Sequence, residues 1–312
     1  MATKLIVIIG ITGLQGGSVA KVFQTLPGWR IRGITRDPTK ASAAPLRDAG
    51  IELVAADLDD QASLEKAFEG ANAIFAVTDF WQFLQNPATF EKAQKDGKAP
   101  NQVCFDLEVQ QGKNIANAAA KQLATLDRLV LSTLSDSVKW SNGEITHNLH
   151  FDAKAKFTNY VKESLPELAK KTSYLQLTFY LSNWRSFPFL RPSRQEDGSY
   201  GVPVLLYPNS KALPYVDEKN DTGYFVQALV KPENAGKTML GYRQKVTPEE
   251  YVRIWGETLG VKSTPKELVP EVMVAGGLPD FMVEEMADMV GRLLPCALTS
   301  FLANSLTSLL RR

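Results

Sequence analysis

Residues 4–17 read KLIVIIGITGLQGG, and this stretch decides the fold. It begins as a short run of β-branched and apolar residues that ends at Gly10, which is typical of a strand covered on both faces. Gly13 and Gly16 follow and open a segment with helical periodicity. Such glycines permit a tight turn, a close approach of the backbone to a pyrophosphate, and the packing of the helix on the strand. The alternative is a flexible surface turn, but the position after a buried-type strand favours a dinucleotide-binding loop.

The amides at the start of the following helix carry a partial positive charge and attract an anion. We therefore expect the loop to contact the bound dinucleotide through its backbone and side chains. The loop residues predicted to bind the cofactor are Gly10, Thr12, Gly13, Leu14, Gln15 and Gly16.

Strand-like and helix-like segments alternate through the first half of the chain. Predicted strands cover residues 4–10, 30–35, 52–55, 73–77, 128–132 and 174–177. Predicted helices cover residues 18–26, 61–68, 106–121 and 151–163. This alternation predicts an α/β fold, a Rossmann-type doubly wound parallel sheet with helices on both faces.

Prolines interrupt the pattern after about residue 180. We predict a Rossmann domain at residues 1–180 and a smaller α+β C-terminal lobe at residues 181–312, parts of which can rejoin the Rossmann sheet. Within this lobe, TPEE at residues 247–250 predicts a helix start with a capping box, and Gly260 predicts its end. The predicted apolar stripe of that helix is Tyr251, Ile254 and Trp255.

The composition of the 312 residues excludes several classes of protein. Hydrophobic residues make up 44% and charged residues 22%, unlike a mainly disordered or coiled-coil chain. A net charge of +1 offers no global field for nucleic acid, so no direct nucleic-acid binding is expected. Cys104 and Cys296 provide neither a disulfide framework nor a cysteine zinc site, and no metal site is predicted. We expect a reducing, cytoplasmic location, since the N-terminus lacks signal-peptide features.

Residues 293–310 carry no charge but contain Pro295 and Asn304, which makes them a poor membrane span. We expect a packed or interfacial C-terminal helix there rather than an anchor, and no membrane contact.

The end of the second predicted strand should select the cofactor. An acidic side chain there usually receives the adenosine ribose 2′-hydroxyl, whereas an arginine accommodates a 2′-phosphate. Arg36 occupies this position with Lys40 nearby, and Asp37 comes one residue late. The pattern favours NADP(H) over NAD, the alternative being that Arg36 is a solvated surface residue.

Two further strand ends offer cofactor contacts. Asp57 and Leu58 follow the third strand, where the carboxylate either accepts from the adenine amino group or caps the next helix. Thr78 and Phe80 follow the fourth strand and are expected to border the middle of the cofactor.

These motifs, in this order, resemble the NmrA-like family of atypical short-chain dehydrogenases/reductases. HFDAK at residues 150–154, FYLSNW at residues 179–184 and TPEE at residues 247–250 extend the resemblance over nearly the whole chain. The resemblance implies a Rossmann domain that binds NADP(H) and a small lobe that closes a substrate cleft.

The catalytic residues implied by the resemblance include a departure from the usual motif. Short-chain dehydrogenases usually carry Tyr-x-x-x-Lys, in which the tyrosine is the acid/base and the lysine holds the nicotinamide ribose. Here His150 stands at the tyrosine position, while Lys154 keeps its spacing on the same helix face. An ammonium near His150 disfavours a second positive charge, so a neutral, weakly donating imidazole is expected and carbonyl reduction is weakened. The alternatives are a packing histidine and a solvated lysine.

Two hydroxyl groups complete the predicted catalytic set. Thr133 ends the fifth strand, where family members often place a hydroxyl that polarises the substrate carbonyl. Leu134 stands nearest the position in question, with Thr133 and Ser135 on either side of it. Tyr180 follows the sixth strand and is a candidate replacement for the missing phenol, or part of an apolar wall.

The sequence favours an NADP(H)-dependent oxidoreductase that acts on a small organic substrate of the carbonyl or enone type. The main alternative is a non-catalytic NADP(H)-sensing redox regulator that acts through a protein partner. Redox-neutral catalysis such as isomerisation is a third class. The broken tyrosine motif favours a regulator, whereas Lys154 and the aromatic-rich residues 179–189 favour a ligand cleft.

Overall fold

The computed structural model describes residues 3–204 and 212–289 and the backbone of residues 306–308. Within these residues, eight parallel strands form the central sheet. The strands are β1 (Lys4–Ile9), β2 (Trp29–Thr35), β3 (Glu52–Ala55), β4 (Ala73–Ala76), β5 (Arg128–Thr133), β6 (Thr172–Leu177), β7 (Phe179–Tyr180), β8 (Ser193–Arg194), β9 (Tyr200–Val204), β10 (Leu213–Val216), β11 (Thr238–Gly241), β12 (Gln244–Val246), β13 (Ser263–Glu267) and β14 (Leu306–Ser308). The helices are α1 (Leu14–Phe23), α2 (Ala44–Asp48), α3 (Gln61–Ala67), α4 (Pro87–Asp96), α5 (Pro100–Ala120), α6 (Ser137–Trp140), α7 (Leu149–Ser164), α8 (Pro166–Ala169), α9 (Asn183–Ser186), α10 (Glu218–Leu229), α11 (Pro248–Leu259), α12 (Pro270–Ala275) and α13 (Asp280–Asp288).

The order of the strands in this sheet is β14-β11-β6-β5-β4-β1-β2-β3, with neighbouring strands parallel. The chain winds outward from β1 to β3, then crosses back to β4 and winds the other way. This reversal leaves a crevice outside the carboxyl ends of β1 and β4, where open α/β sheets bind ligands. The predicted Rossmann-type doubly wound sheet is confirmed.

The residues of β1 show why the sheet is covered on both faces. Leu5, Val7 and Ile9 pack into one apolar cluster, and Ile6 and Ile8 pack into a second cluster on the opposite face. Successive side chains of a strand point to opposite faces, so a continuous apolar run requires helices on both sides.

Part of the chain beyond residue 180 rejoins the Rossmann sheet. The strand β11 pairs with β6, and α10 packs against α1. Gly223 of α10 allows this close approach, because a Cβ there would lie 2.4 Å from the carbonyl oxygen of Ser18. The remainder forms a small lobe of two three-stranded sheets, β12-β10-β7 and β13-β9-β8, with α9 and α11–α13.

Two helices start four or more residues earlier than predicted. The helix α1 begins directly after the glycine loop at Leu14, and α5 begins at Pro100, whose ring suits a first helical turn. The apolar periodicity on which the prediction relied becomes regular only after these first turns.

The start and end of α11 follow the prediction, and its apolar stripe does so for two of the three predicted residues. Thr247 Oγ1 accepts from the Glu250 amide at 3.1 Å, and Glu250 accepts from the Thr247 amide at 2.8 Å. Gly260 ends the helix in the left-handed conformation, with φ of +65°. Of the predicted stripe, Tyr251 and Trp255 are half-buried and pack beside Val252, whereas Ile254 is exposed. Gly256 is also buried, and Ser263 of β13 packs where a side chain on Gly256 would stand.

The C-terminal segment differs from the predicted helix. Leu306–Ser308 forms β14 at the edge of the main sheet, so a helix over residues 293–310 is wrong for these three residues. The rest of that segment and Cys296 lie outside the described residues. None of the described helices has the length and apolarity needed to cross a bilayer.

Candidate functional site

A cleft of about 1010 Å³ opens at the carboxyl ends of the parallel strands. Its lining includes residues that follow each of β1 to β6, and beyond them residues of the small lobe. Every residue predicted to contact the cofactor lines it, namely Gly10, Thr12, Gly13, Leu14, Gln15, Gly16, Arg36, Lys40, Asp57, Leu58, Thr78, Phe80 and Lys154.

The glycine loop is shaped by backbone contacts that leave no space for side chains. Gly10 has a φ of +66°, and its carbonyl oxygen accepts from the Gly13 amide at 2.9 Å. A Cβ on Gly16 would lie only 2.2 Å from that same oxygen. The loop can therefore hold the helix this close to β1 only while residue 16 is glycine.

The first turn of α1 presents uncapped amides to the cleft. Gly13 is the N-cap and supplies no side-chain acceptor, and the first turn contains no acidic residue. Amides in this arrangement remain available to an anion. The loop therefore fits the pyrophosphate of a dinucleotide.

The charged side chains that follow β2 differ in whether another group of the protein already binds them. Asp37 Oδ1 accepts from the hydroxyl of Thr39 at 2.6 Å and from its amide at 2.8 Å, and these bonds hold the pKa of Asp37 below its usual value. Arg36 and Lys40 line the cleft, and no described side chain pairs with the Arg36 guanidinium. The carboxylate is thus engaged within its own turn, and Arg36 remains free for a ligand.

The helix that follows β3 is capped by Asp60 and not by Asp57, for which capping was the alternative role. Asp60 caps α3 by accepting from the amides of Ala62 and Ser63. Asp57 accepts from the Asp59 amide at 3.0 Å and lines the cleft. The contact of Asp57 with adenine stays a prediction.

Lys154 is buried at the centre of a hydrogen-bonded group. Its ammonium donates to Thr78 Oγ1 at 2.8 Å, to the Thr78 carbonyl at 3.0 Å and to Glu108 Oε1 at 2.6 Å. All three N–H donors have acceptors, so Lys154 must exchange one of them to bind a ligand directly. Since the Thr78 hydroxyl accepts from Lys154, its own proton remains free to be donated.

His150 is held one turn before Lys154 by a carboxylate from the small lobe. Its Nδ1 lies 2.8 Å from Glu285 Oε1, and its backbone amide donates to the same oxygen at 2.8 Å. The ammonium expected to act on His150 is itself paired with Glu108, so the charged neighbour in contact with the ring is a carboxylate instead. The ring lines the cleft, which leaves Nε2 for a ligand.

The two predicted hydroxyl groups fall in different places. Thr133 is buried against α7, with its hydroxyl 2.9 Å from that of Thr158, and it does not line the cleft. The next residue, Leu134, does line the cleft, because successive residues of an extended chain point to opposite sides, and Ser135 lines it as well beyond the end of β5. Tyr180 lines the cleft and accepts from Gln15 Nε2 at 2.6 Å, while burial raises the pKa of its phenol.

Aromatic side chains continue the cleft from His150 into the small lobe. We call Phe80, Trp81, Phe151, Phe187 and Phe189 the aromatic wall; all five line the cleft. The Trp81 ring lies 4.8 Å from the His150 ring and 5.5 Å from the Phe187 ring. Among the described residues that line the cleft from 176 onward, none carries a formal charge. This end of the cleft therefore suits an uncharged aromatic or apolar molecule.

Sequence reasoning missed Glu108 and Glu285, both fully buried. Each lies on a helix whose local pattern does not distinguish an inward carboxylate from a solvated one. In the sequence, the only sign of such a residue is that it is charged although its neighbours on the same helix face are mostly apolar. No group of three or more His, Cys, Asp or Glu suited to a metal ion occurs within the described residues.

Comparison with known proteins agrees with this architecture. The chain is 26% identical over 297 residues to the NmrA-like family domain-containing oxidoreductase FrzB of a Cladobotryum species, covering 89% of this chain and 81% of that protein. The structure of NmrA, a negative transcriptional regulator, in complex with NADP superposes with a TM-score of 0.71 at 19% identity, covering 94% of this chain and 82% of that one. Triphenylmethane reductase of a Citrobacter species, complexed with NADP(H), gives a TM-score of 0.63 at 19% identity and covers 93% and 89%.

The family itself is identified from the sequence. Residues 2–293 match the NmrA-like family, which is nearly the whole chain. The glycine loop, the strand order and the placement of HFDAK beside the cleft agree with that match. The chain therefore belongs to the NmrA-like family.

Proposed function

We propose that this protein is an NADP(H)-dependent oxidoreductase that reduces the carbonyl or enone group of an uncharged, aromatic organic molecule. The observation that carries the proposal is one continuous cleft, which joins the glycine loop, the Lys154 and His150 side chains, and the aromatic wall. An anion-binding loop, ionisable groups and an apolar ligand surface in one cleft are the parts that hydride transfer to an organic carbonyl requires.

Each part has a role in this proposal. The amides of α1 bind the pyrophosphate, and Arg36 with Lys40 binds the 2′-phosphate. Bound NADPH supplies the hydride. Lys154 orients the Thr78 hydroxyl toward the cofactor, and His150 exchanges a proton with the substrate oxygen. The aromatic wall stacks on the substrate and excludes water.

The names of related proteins support an enzyme rather than a regulator. FrzB and a 26% identical protein of Aspergillus hancockii are both named oxidoreductases. NmrA is described as a regulator, but at 19% identity the similarity extends to the fold alone. The uncharged ligand end of the cleft also favours a small molecule over a protein partner.

Turnover is tested by following the loss of NADPH absorbance with an uncharged aromatic enone such as chalcone, and with the charged analogue cinnamate as a comparison. We expect turnover of the neutral compound and little of the anion. Lys154→Met combined with Glu108→Gln should lower kcat at least a hundredfold, because the pair that orients Thr78 is lost. Lys156→Met, which removes an exposed lysine from the same helix, should leave kcat unchanged. NADPH binding without turnover of any carbonyl or enone would favour the regulator.

The cofactor preference is tested separately by calorimetry. Arg36→Ala should weaken NADPH binding tenfold or more and leave NADH binding nearly unchanged, because only NADPH carries the 2′-phosphate. Arg30→Ala, at the other end of β2, is the matched control. Equal losses for both nucleotides would show that Arg36 does not bind the phosphate.

A further inference from the structure

We propose that Glu285 is a positioning residue that makes His150 the proton-exchanging group of the site. This inference rests on the proposed function. It places part of the catalytic machinery on α13 of the small lobe, outside the Rossmann sheet.

The hydrogen bonds around Glu285 are complete and directed. Oε1 accepts from the His150 amide and faces Nδ1, both at 2.8 Å, and Oε2 accepts from Asn101 Nδ2 at 2.9 Å. The Glu285 side chain is fully buried. A buried carboxylate with each oxygen engaged is held in one orientation, and it fixes the orientation of the ring that it contacts.

This contact determines which ring nitrogen serves the ligand. When Nδ1–H donates to the carboxylate, Nε2 remains as the nitrogen that can exchange a proton. Trp81 and Phe151, whose ring centroids each lie 4.8 Å from that of His150, hold the ring from other directions. The ring is therefore fixed by contacts from α7, α13 and the turn after β4.

Once the carbonyl has been reduced to an alkoxide, His150 and Glu285 can complete the reaction by a proton transfer. The alkoxide oxygen takes the proton from Nε2, so that an O–H bond forms as the N–H bond breaks. The ring becomes neutral and keeps Nδ1–H on Glu285. While the ring holds both protons, the carboxylate compensates its charge. A solvent hydronium ion then returns a proton to Nε2 and becomes water, so the cycle consumes the one H+ that carbonyl reduction by NADPH requires.

The other ionisable groups near His150 are either bound to other partners or uncharged. Lys154, one turn along α7, is paired with Glu108 of α5. Asp152 accepts from the hydroxyl of Ser137 at 2.7 Å. Burial raises the pKa of Cys104 on α5 to about 12, so its thiol stays neutral. Glu285 is thus the carboxyl group in direct contact with the ring.

Glu285→Gln is the informative variant because it can keep the fold. The glutamine oxygen still accepts from the His150 amide. Its NH2 group replaces the oxygen that accepts from Asn101 Nδ2, and it can donate to Asn101 Oδ1, which is buried without a partner, once the Asn101 amide turns over. The charge is thereby removed while the contact with the His150 amide is kept. Glu284→Gln is the matched control, since it removes an exposed carboxylate from the neighbouring position, 3.9 Å from His147.

Side-chain ¹⁵N NMR of the full-length protein reads the ring directly, because the chain contains only two histidines. In the wild type we expect a slowly exchanging, low-field Nδ1–H resonance for His150. Glu285→Gln should move it upfield, lower kcat about tenfold to a hundredfold with little change in KM, and shift the pH profile of kcat. Glu284→Gln should alter only the His147 signals.

Two results would overturn this inference. One is a His150 ring protonated at Nε2 alone in the wild type, and the other is a Glu285→Gln variant with unchanged kcat and pH profile. The NMR readout does not depend on turnover. A failure of the proposed function, with no active substrate, would therefore leave the predicted tautomer and its response to Glu285→Gln open to measurement.

Discussion

At the scale of single residues, Gly16 is a position where the neighbouring backbone leaves no room for a side chain. Its missing side chain is what allows α1 to start beside the turn at Gly10. The adjacent Gly17 is less restricted, since a Cβ there would lie 3.5 Å from the Ile11 carbonyl oxygen, an ordinary contact. The two neighbouring glycines therefore provide an internal comparison.

Gly16→Ala should weaken NADPH binding at least tenfold, because a methyl group 2.2 Å from the Gly10 oxygen forces the loop away from its anion-binding shape. Gly17→Ala should change the dissociation constant less than threefold. Calorimetric titration of both variants makes the comparison. Similar affinities for the two would contradict the assignment of this loop to the pyrophosphate.

At the scale of elements, α5 and α7 are joined by a buried ion pair between Glu108 and Lys154. A buried pair is poor evidence for stability in itself, but removal of one partner leaves an uncompensated charge in the interior. The second oxygen of Glu108 has no partner among the described residues, which makes that carboxylate especially dependent on Lys154.

Lys154→Met and Glu108→Gln should each lower the free energy of unfolding, by about 3 kcal/mol, and the double variant should lose less than the sum. Urea unfolding of the four proteins measures the coupling. The exposed pair Lys170–Glu167 provides the reference, and the same substitutions there should cost less than about 1 kcal/mol. Additive losses in the buried pair would show that it does not couple the two helices.

At the scale of the whole molecule, the cleft is bordered by the Rossmann sheet on one side and the small lobe on the other. Met286 of α13 lines this cleft, and its neighbour Glu285 contacts the start of α7. A dinucleotide bound along the strand ends would contact several elements at once, and a ligand that binds only the folded state stabilises it.

NADPH at a hundred times its dissociation constant should stabilise the protein by about 2.7 kcal/mol, seen as a rise of several degrees in Tm. Differential scanning fluorimetry measures the rise. The Gly16→Ala variant, at the same nucleotide concentration, should show a much smaller one. A Tm that does not respond to either nicotinamide nucleotide would contradict the whole cofactor assignment.

Local patterns of sequence determined much of the fold. Some features depend only on residues within a few positions of one another and can be predicted without the tertiary structure. They are the apolar run of β1, the three glycines after it and the capping box of α11. The same holds for the gathering of the predicted cofactor contacts in one cleft, because the carboxyl ends of parallel strands meet at one edge. The sequence also placed His150 and Lys154 one turn apart on one helix.

Only the tertiary structure decided what surrounds those two side chains. Glu285 is 135 positions from His150 and Glu108 is 46 positions from Lys154, and no periodicity connects residues so far apart. Whether a charged side chain is buried depends on its partner, which local composition does not reveal. The inward turn of Thr133 and the return of β11 to the main sheet have the same origin, since packing between distant elements selects them.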